Sequence, residues 1–81
     1  MVGLIASAVP LFRDVVRLYR LAYGEHHARV ATALNNLAVL LDKQGQKAEA
    51  LKLGQRALLV ARKVHGPNHE TTKLYQRDWG V

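Results

Sequence analysis

Apolar residues recur along this chain at spacings of three and four, in runs broken by glycine. From Val30 the run continues through Ala33, Leu34, Leu37, Ala38 and Leu41, one stripe of an amphipathic helix. Gly45 ends it, since glycine accepts the left-handed backbone that a helix C-terminus needs. A second run carries Ala50, Leu51, Ala57, Leu58, Ala61 and Val64 and stops at His65-Gly66-Pro67-Asn68. There Gly66 can turn the chain and Pro67 cannot continue a helix. The segment from Gly3 to Tyr23 follows the same pattern, with Val9, Phe12, Val15, Val16 and Tyr19 in its stripe. Its Pro10 is expected to be tolerated only in a first turn or as a kink. A last short helix is expected to run to about Trp79. No alternating β-branched run is bounded by turn residues, so a sheet has no support. The spacing predicts helices over about 4–22, 28–43, 47–64 and 69–79. Turns this short force sequential helices to lie antiparallel.

The chain also repeats itself. At an offset of 42, eight of 39 aligned pairs are identical: Gly3/Gly45, Ala6/Ala48, Ala8/Ala50, Leu11/Leu53, Arg20/Arg62, Gly24/Gly66, His27/His69 and Val39/Val81. Glycines fall on glycines and apolar positions on the same helical face. Periods of 20–50 residues mark solenoids and helical arrays. The overlap is weakest from Gln76 to Gly80.

Composition narrows the reading. A chain of 81 residues buries only about 60–65% of its unfolded surface, so one core is marginal unless stapled or shared. There is no cysteine, which removes disulfides and thiolate-bound metal and fits a reducing compartment. The apolar fraction of 49% is that of a folded domain. Twelve basic against six acidic residues give a charge of +6, which suits an acidic peptide, nucleic acid or an anionic surface. The basic residues are spread along the chain, the pattern of a solvated helical surface first and a binding stripe second. The apolar start has no basic leader and its run stops at Arg13, short of the ~20 residues a membrane span needs. The expectation is a soluble, cytoplasmic protein without membrane contact.

The stretch Gly24-Glu25-His26-His27-Ala28-Arg29-Val30-Ala31-Thr32-Ala33-Leu34-Asn35-Asn36-Leu37-Ala38 resembles G-x-x-H-P-x-V-A-x-x-L-N-N-L-A. That is the motif of the tetratricopeptide repeat in its 42-residue form, found in kinesin light chains. The likeness continues through Gln44-Gly45, Ala48-Glu49-Ala50 and Arg56-Ala57-Leu58. Pro10-Leu11-Phe12-Arg13 is similar to the family's P-L-Y-R, and Gly66-Pro67-Asn68-His69 looks like the loop opening a further repeat. The resemblance implies an all-α, right-handed α-solenoid of antiparallel helix pairs. Residues 1–23 would be the second helix of a partial repeat, 24–65 a complete repeat, and 66–81 the first helix of a partial, divergent repeat. Two positions depart from the pattern. Lys47 stands where the family has an aromatic. Gly54 stands where it has a large residue, at an expected cost of about 1 kcal/mol against alanine plus lost packing. Arrays usually need about three repeats with polar caps, so a terminal piece, a truncated product or self-association through uncapped ends is expected.

The candidate chemistry is that of binding. Side-chain amides such as Asn35 and Asn36 can bond a peptide backbone in both directions, and one of them can instead bond a neighbouring helix. In the family that this motif resembles, such asparagines line the concave groove and hold an extended peptide. Thr32, Val39 and Lys43 lie within reach of Asn35 at spacings of three, four and eight. Lys73 and Arg77 share a face of the last helix and, with Arg29, could grip acidic side chains or a terminal carboxylate. Helices 28–43 and 69–79 would form the inner wall, 4–22 and 47–64 the outer wall. The four histidines lack metal-ligand geometry: His26 and His27 are adjacent, and Gly66-Pro67 separates His65 from His69. A loop-packing role suits His27 and His69, and Trp79 is placed to cap the array's end. Ser7 is the sole serine, and no nucleophile, phosphate-loop or paired-carboxylate pattern exists. No catalysis, metal or cofactor is expected. The reading is a protein–protein interaction module that takes an acidic peptide segment in a groove. Its alternatives are a basic helical nucleic-acid-binding protein, or a structural, self-associating fragment of a longer scaffold.

Overall fold

The computed structural model describes residues 2–80, with side chains described for 8–80. Four helices follow one another: α1 (Val2–Tyr23), α2 (Ala28–Lys43), α3 (Lys47–His65) and α4 (Glu70–Trp79). Among the described residues there is no strand. The bounds agree with the periodicity to within one or two residues.

Each boundary has a local cause. The turn between α2 and α3 is a Schellman motif. Gly45 takes φ +84°, the Gln46 amide donates to the Leu41 carbonyl at 2.9 Å, and the Gly45 amide to that of Asp42 at 3.0 Å. Gly24 and Gly66, 42 residues apart, close α1 and α3 with amides that donate to Arg20 and Arg62, at 2.9 and 3.0 Å. The helices that follow them are capped in one way. The His27 ring Nδ1 accepts from the Arg29 amide at 3.0 Å, and that of His69 from the Thr71 amide at 3.1 Å. Each ring also stacks on an aromatic from the preceding helix: Tyr23 on His27 at 4.5 Å, His65 on His69 at 4.2 Å. The two histidines thus satisfy orphan amides at helix N-termini and hold the loop against the helix before it.

Pro10 lies well inside α1, beyond its first turn. Its ring is exposed, so the missing amide bond falls on the side away from the core. Lys47, where an aromatic was expected, instead spans the turn to Asp42 at 2.9 Å.

α2 is the central element, packed between α1 and α3, while α4 lies on α3. Val30, Leu34 and Leu41 of α2 are wholly buried, with Ala50, Ala57 and Ala61 of α3 allowing close approach. Among the described residues Thr72 of α4 is the polar one buried in the core, and its hydroxyl donates to the Ala61 carbonyl at 3.2 Å. On α1 the outer side stays bare: Leu11, Leu18 and Leu21 are 66%, 55% and 77% exposed.

The expected packing loss at Gly54 does not occur. The Trp79 indole rests on Gly54, where a Cβ would fall inside the ring's contact distance and only 2.6 Å from Cε2. At the 42-residue offset Gly54 corresponds to Phe12, and Trp79 to Leu37. The first helix pair thus has a large residue and a leucine at these two positions, and the second has no side chain at one and a tryptophan at the other. The volume has moved across the interface, so the density that a core requires is kept.

Candidate functional site

α2 turns its buried residues toward α1 and α3 and leaves one strip open. Thr32, Asn36 and Lys43 on that strip are exposed, flanked by half-buried Val39 and Asn35. At 100° per residue these five fall within about one third of the circumference of α2, so they share one face of that helix. The strip is polar apart from Val39, which packs against the core cluster. The Thr32 hydroxyl donates back to the Ala28 carbonyl at 3.2 Å. Burial raises the Tyr75 phenol above its ordinary value, an effect that the nearby Thr32 hydroxyl partly offsets.

The two asparagines are not equivalent. Asn35 Oδ1 accepts from the Trp79 indole N–H at 2.7 Å, and the Gln55 amide donates to the Trp79 carbonyl at 3.2 Å. Asn35 thereby ties α4 to α2. Among the described residues the Asn36 side chain makes no hydrogen bond, so its amide keeps its full capacity to donate and accept.

Lys73 and Arg77 are grouped elsewhere. They line a shallow cleft of about 360 Å³ with Arg62, Pro67, Thr72 and Gln76, between α3 and α4. On α4 they stand away from Tyr75 and Trp79, the residues buried toward the rest of the stack. Arg62 and Gln76 hydrogen-bond across this cleft, and Arg77 pairs with Asp78 at 3.2 Å. Arg29 is likewise apart, lying over the Tyr23 ring at 5.6 Å. The sequence spacing thus set out one coherent strip, on α2, and a second basic pair at the far end of the stack.

A larger recess had no counterpart in the sequence reading. It opens between α1, α2 and α3, holds about 550 Å³ and is lined by Arg13, Arg17, Arg20 and Arg56 around an apolar floor. Residues from three helices build it, so only the i, i+4 and i+3 spacing of its α1 arginines was visible beforehand. Among the described residues no cluster of histidine or acidic side chains could hold a metal ion. None of the described helices is long and apolar enough to cross a membrane.

Stacked antiparallel helices on a repeating stride, with one polar face left open, define a helical-repeat protein. The tetratricopeptide repeat family model matches residues 30–71, from the first turn of α2 through α3 into α4. The chain belongs to the tetratricopeptide repeat family, which is a family of protein-interaction modules. Two curated relatives are clustered mitochondria protein homologs. That of Homo sapiens is 31% identical and that of Xenopus tropicalis 29% identical over 70 residues. The match covers 86% of this chain but 5% of each relative, so the chain spans about one twentieth of their length. No solved structure matches.

Proposed function

We propose that this chain binds an extended segment of a partner protein along the open strip of α2, without catalysis, metal or cofactor. The supporting observation is the contrast between the neighbouring amides: Asn35 is committed to Trp79, while Asn36 stands free between Thr32 and Lys43. In this reading Asn36 bonds the peptide backbone, Val39 offers an apolar contact, and Lys43 favours acidic side chains. Asn35 acts as a strut. Lys73 and Arg77 extend the basic character beyond the strip, where an acidic partner would gain from them.

We read 1–23, 24–65 and 66–81 as a second helix, a whole repeat and a first helix. The stride and the Asn35-Asn36-Leu37-Ala38 stretch support the kinesin-light-chain type of array and a scaffold role. Exposed Leu11 and Leu18 support a contact between α1 and a further helix, including that of a second copy. Sedimentation at rising concentration tests this. A chain without cysteine is compatible with residence in the cytoplasm.

The binding proposal is tested on an array of short peptides with Asn36→Ala and Lys43→Ala. Each change should weaken binding by about tenfold, the worth of one hydrogen bond to or from a charged or desolvated group. Unchanged binding in both variants would refute the strip. A nucleic-acid binder would instead lose affinity log-linearly with salt, in proportion to the phosphates it contacts.

A further inference from the structure

The recess between α1, α2 and α3 lies behind the α2 strip. Its floor includes Leu34 and Leu37, and Leu34 projects from α2 opposite to Lys43, nine positions on. At about 550 Å³ it falls in the size range of binding sites. Val16 and Leu53 complete an aliphatic floor, with Leu21 at the rim.

The rim is strongly cationic. Arg13, Arg17 and Arg20 follow one another at spacings of four and three, so they line up along one side of α1. Arg56 of α3 stands with them around the same opening. The protein's own carboxylates already occupy part of this rim: Glu49 meets Arg13 at 2.9 Å, and Glu25 meets Arg20 at 2.8 Å. The hydrogen bond from Arg20 holds the Glu25 carboxyl below its ordinary value, and the charges of Arg20, Arg56 and His26 act in the same direction. Two arginines remain for an outside ligand. Arg17 has only a loose 3.4 Å contact with exposed Asp14 on its own helix. Arg56 forms no ion pair among the described residues.

We propose that this recess is a second binding site, which takes an acidic amphipathic helix of a partner protein. Such a helix places apolar side chains in the aliphatic floor and carboxylates on the flanking arginines. Its carboxylates meet Arg17 on the α1 side and Arg56 on the α3 side, the two rim arginines that the chain's own carboxylates leave open, and Arg–carboxylate pairs are directional as well as strong. Helix-in-groove recognition uses this division into apolar anchors and charged flanks. The aliphatic floor offers no aromatic ring on which a base could stack, which disfavours RNA as the occupant. The site is independent of the α2 strip and stands whether or not that strip binds a peptide.

The test uses the full chain and a labelled helix-forming peptide with leucines at i and i+4 flanked by glutamates, followed by fluorescence anisotropy. Saturable binding is expected, weakened about five- to tenfold by Arg17→Glu and again by Arg56→Glu, and unaffected by Asn36→Ala. Replacing the peptide's leucines by serine should weaken it as much. Both arginines are exposed, and circular dichroism will show the variants folded; Arg17→Gln and Arg56→Gln give a milder pair with the same direction. The proposal is overturned if the peptide does not bind, if the serine peptide binds as well, or if Asn36→Ala alone removes binding. It is also overturned if a single-stranded RNA or phosphatidylserine vesicles bind with the same arginine dependence while the peptide does not.

Discussion

Replacing Gly54 by alanine sets two well-understood effects against each other. In a helix interior alanine is favoured over glycine by about 1 kcal/mol, because glycine loses more backbone freedom on folding. On that ground alone Gly54→Ala would raise the melting temperature of a chain this size by about 4–8 °C. Against it stands the Trp79 ring. The new Cβ would meet Cδ2 and Cγ well inside contact distance, and these atoms are at the root of the side chain, where it has little freedom to swing away. The ring is also pinned by its 2.7 Å bond to Asn35, and the α4 end by the bond from Gln55. Overpacking a filled interior costs about 1–3 kcal/mol, and expelling the indole adds the lost bond, about 1 kcal/mol. We therefore expect a net loss of about 1–3 kcal/mol and a lower melting temperature.

A swap isolates the cause. Gly54→Phe with Trp79→Leu places at these positions the residue types that stand 42 residues earlier, Phe12 and Leu37. Each single change should be destabilising, Gly54→Phe by collision and Trp79→Leu by the void it leaves, while the double variant should recover at least about 1 kcal/mol of the sum. Urea denaturation of the four proteins gives the coupling energy. Additive effects, or a Gly54→Ala protein that melts higher than the parent, would refute the exchange of volume.

Three further outcomes are expected. Gly45→Ala meets no neighbouring atom but must adopt φ +84°, so it should cost about 1–2 kcal/mol by strain alone, read from a thermal melt. His69→Ala removes the acceptor for the Thr71 amide and should cost about 0.5–2 kcal/mol, with faster hydrogen exchange confined to the start of α4, whereas His69→Asn should restore most of it. Glu25 titrates below the ordinary glutamate value because the Arg20 guanidinium binds its charged form. Its small stabilisation is then complete above the unfolded value and fades as pH falls through the lower folded one. Carboxyl chemical shifts should show that lowered midpoint move back up in Arg20→Ala.

The helices were legible because each carries its own punctuation. A stripe at spacings of three and four, Gly24, Gly45 and Gly66 at the breaks and the 42-residue self-match are all local or periodic features, and the structure reproduces them. The histidine caps were half legible: the equivalence of His27 and His69 was plain, but a ring nitrogen accepting an amide is not a sequence signal in the way serine or aspartate is. Gly54 was misjudged because propensity is a property of one position, whereas packing belongs to a pair. Trp79 is 25 residues away, and only the offset that aligns it with Leu37 while aligning Gly54 with Phe12 could have exposed the exchange. The arginine recess was hidden for a similar reason. Arg56 comes to the other three because α2 holds α1 and α3 around one opening, which no spacing along the chain encodes. For Lys73 and Arg77 the spacing of four shows that they share a face of α4, while the cleft that face joins depends on how α4 docks on α3.

The docking of α4 is in turn what makes the α2 strip what it is. Asn35 and Asn36 are chemically identical neighbours, and the 100° between them sends one toward α4 and the other toward solvent. Trp79 reaches Asn35 because Gly54 has no side chain to hold it off. If Gly54 carried a large residue, the indole would be displaced and Asn35 would be released to the open face. The pattern of free and committed amides on α2 is therefore set by a glycine on α3, which never touches the strip itself. A change at Gly54 should alter not only stability but also which asparagine a bound peptide uses. Loss of binding through Asn36→Ala in the parent, but shared between Asn35 and Asn36 in a folded Gly54→Ala protein, would be its mark.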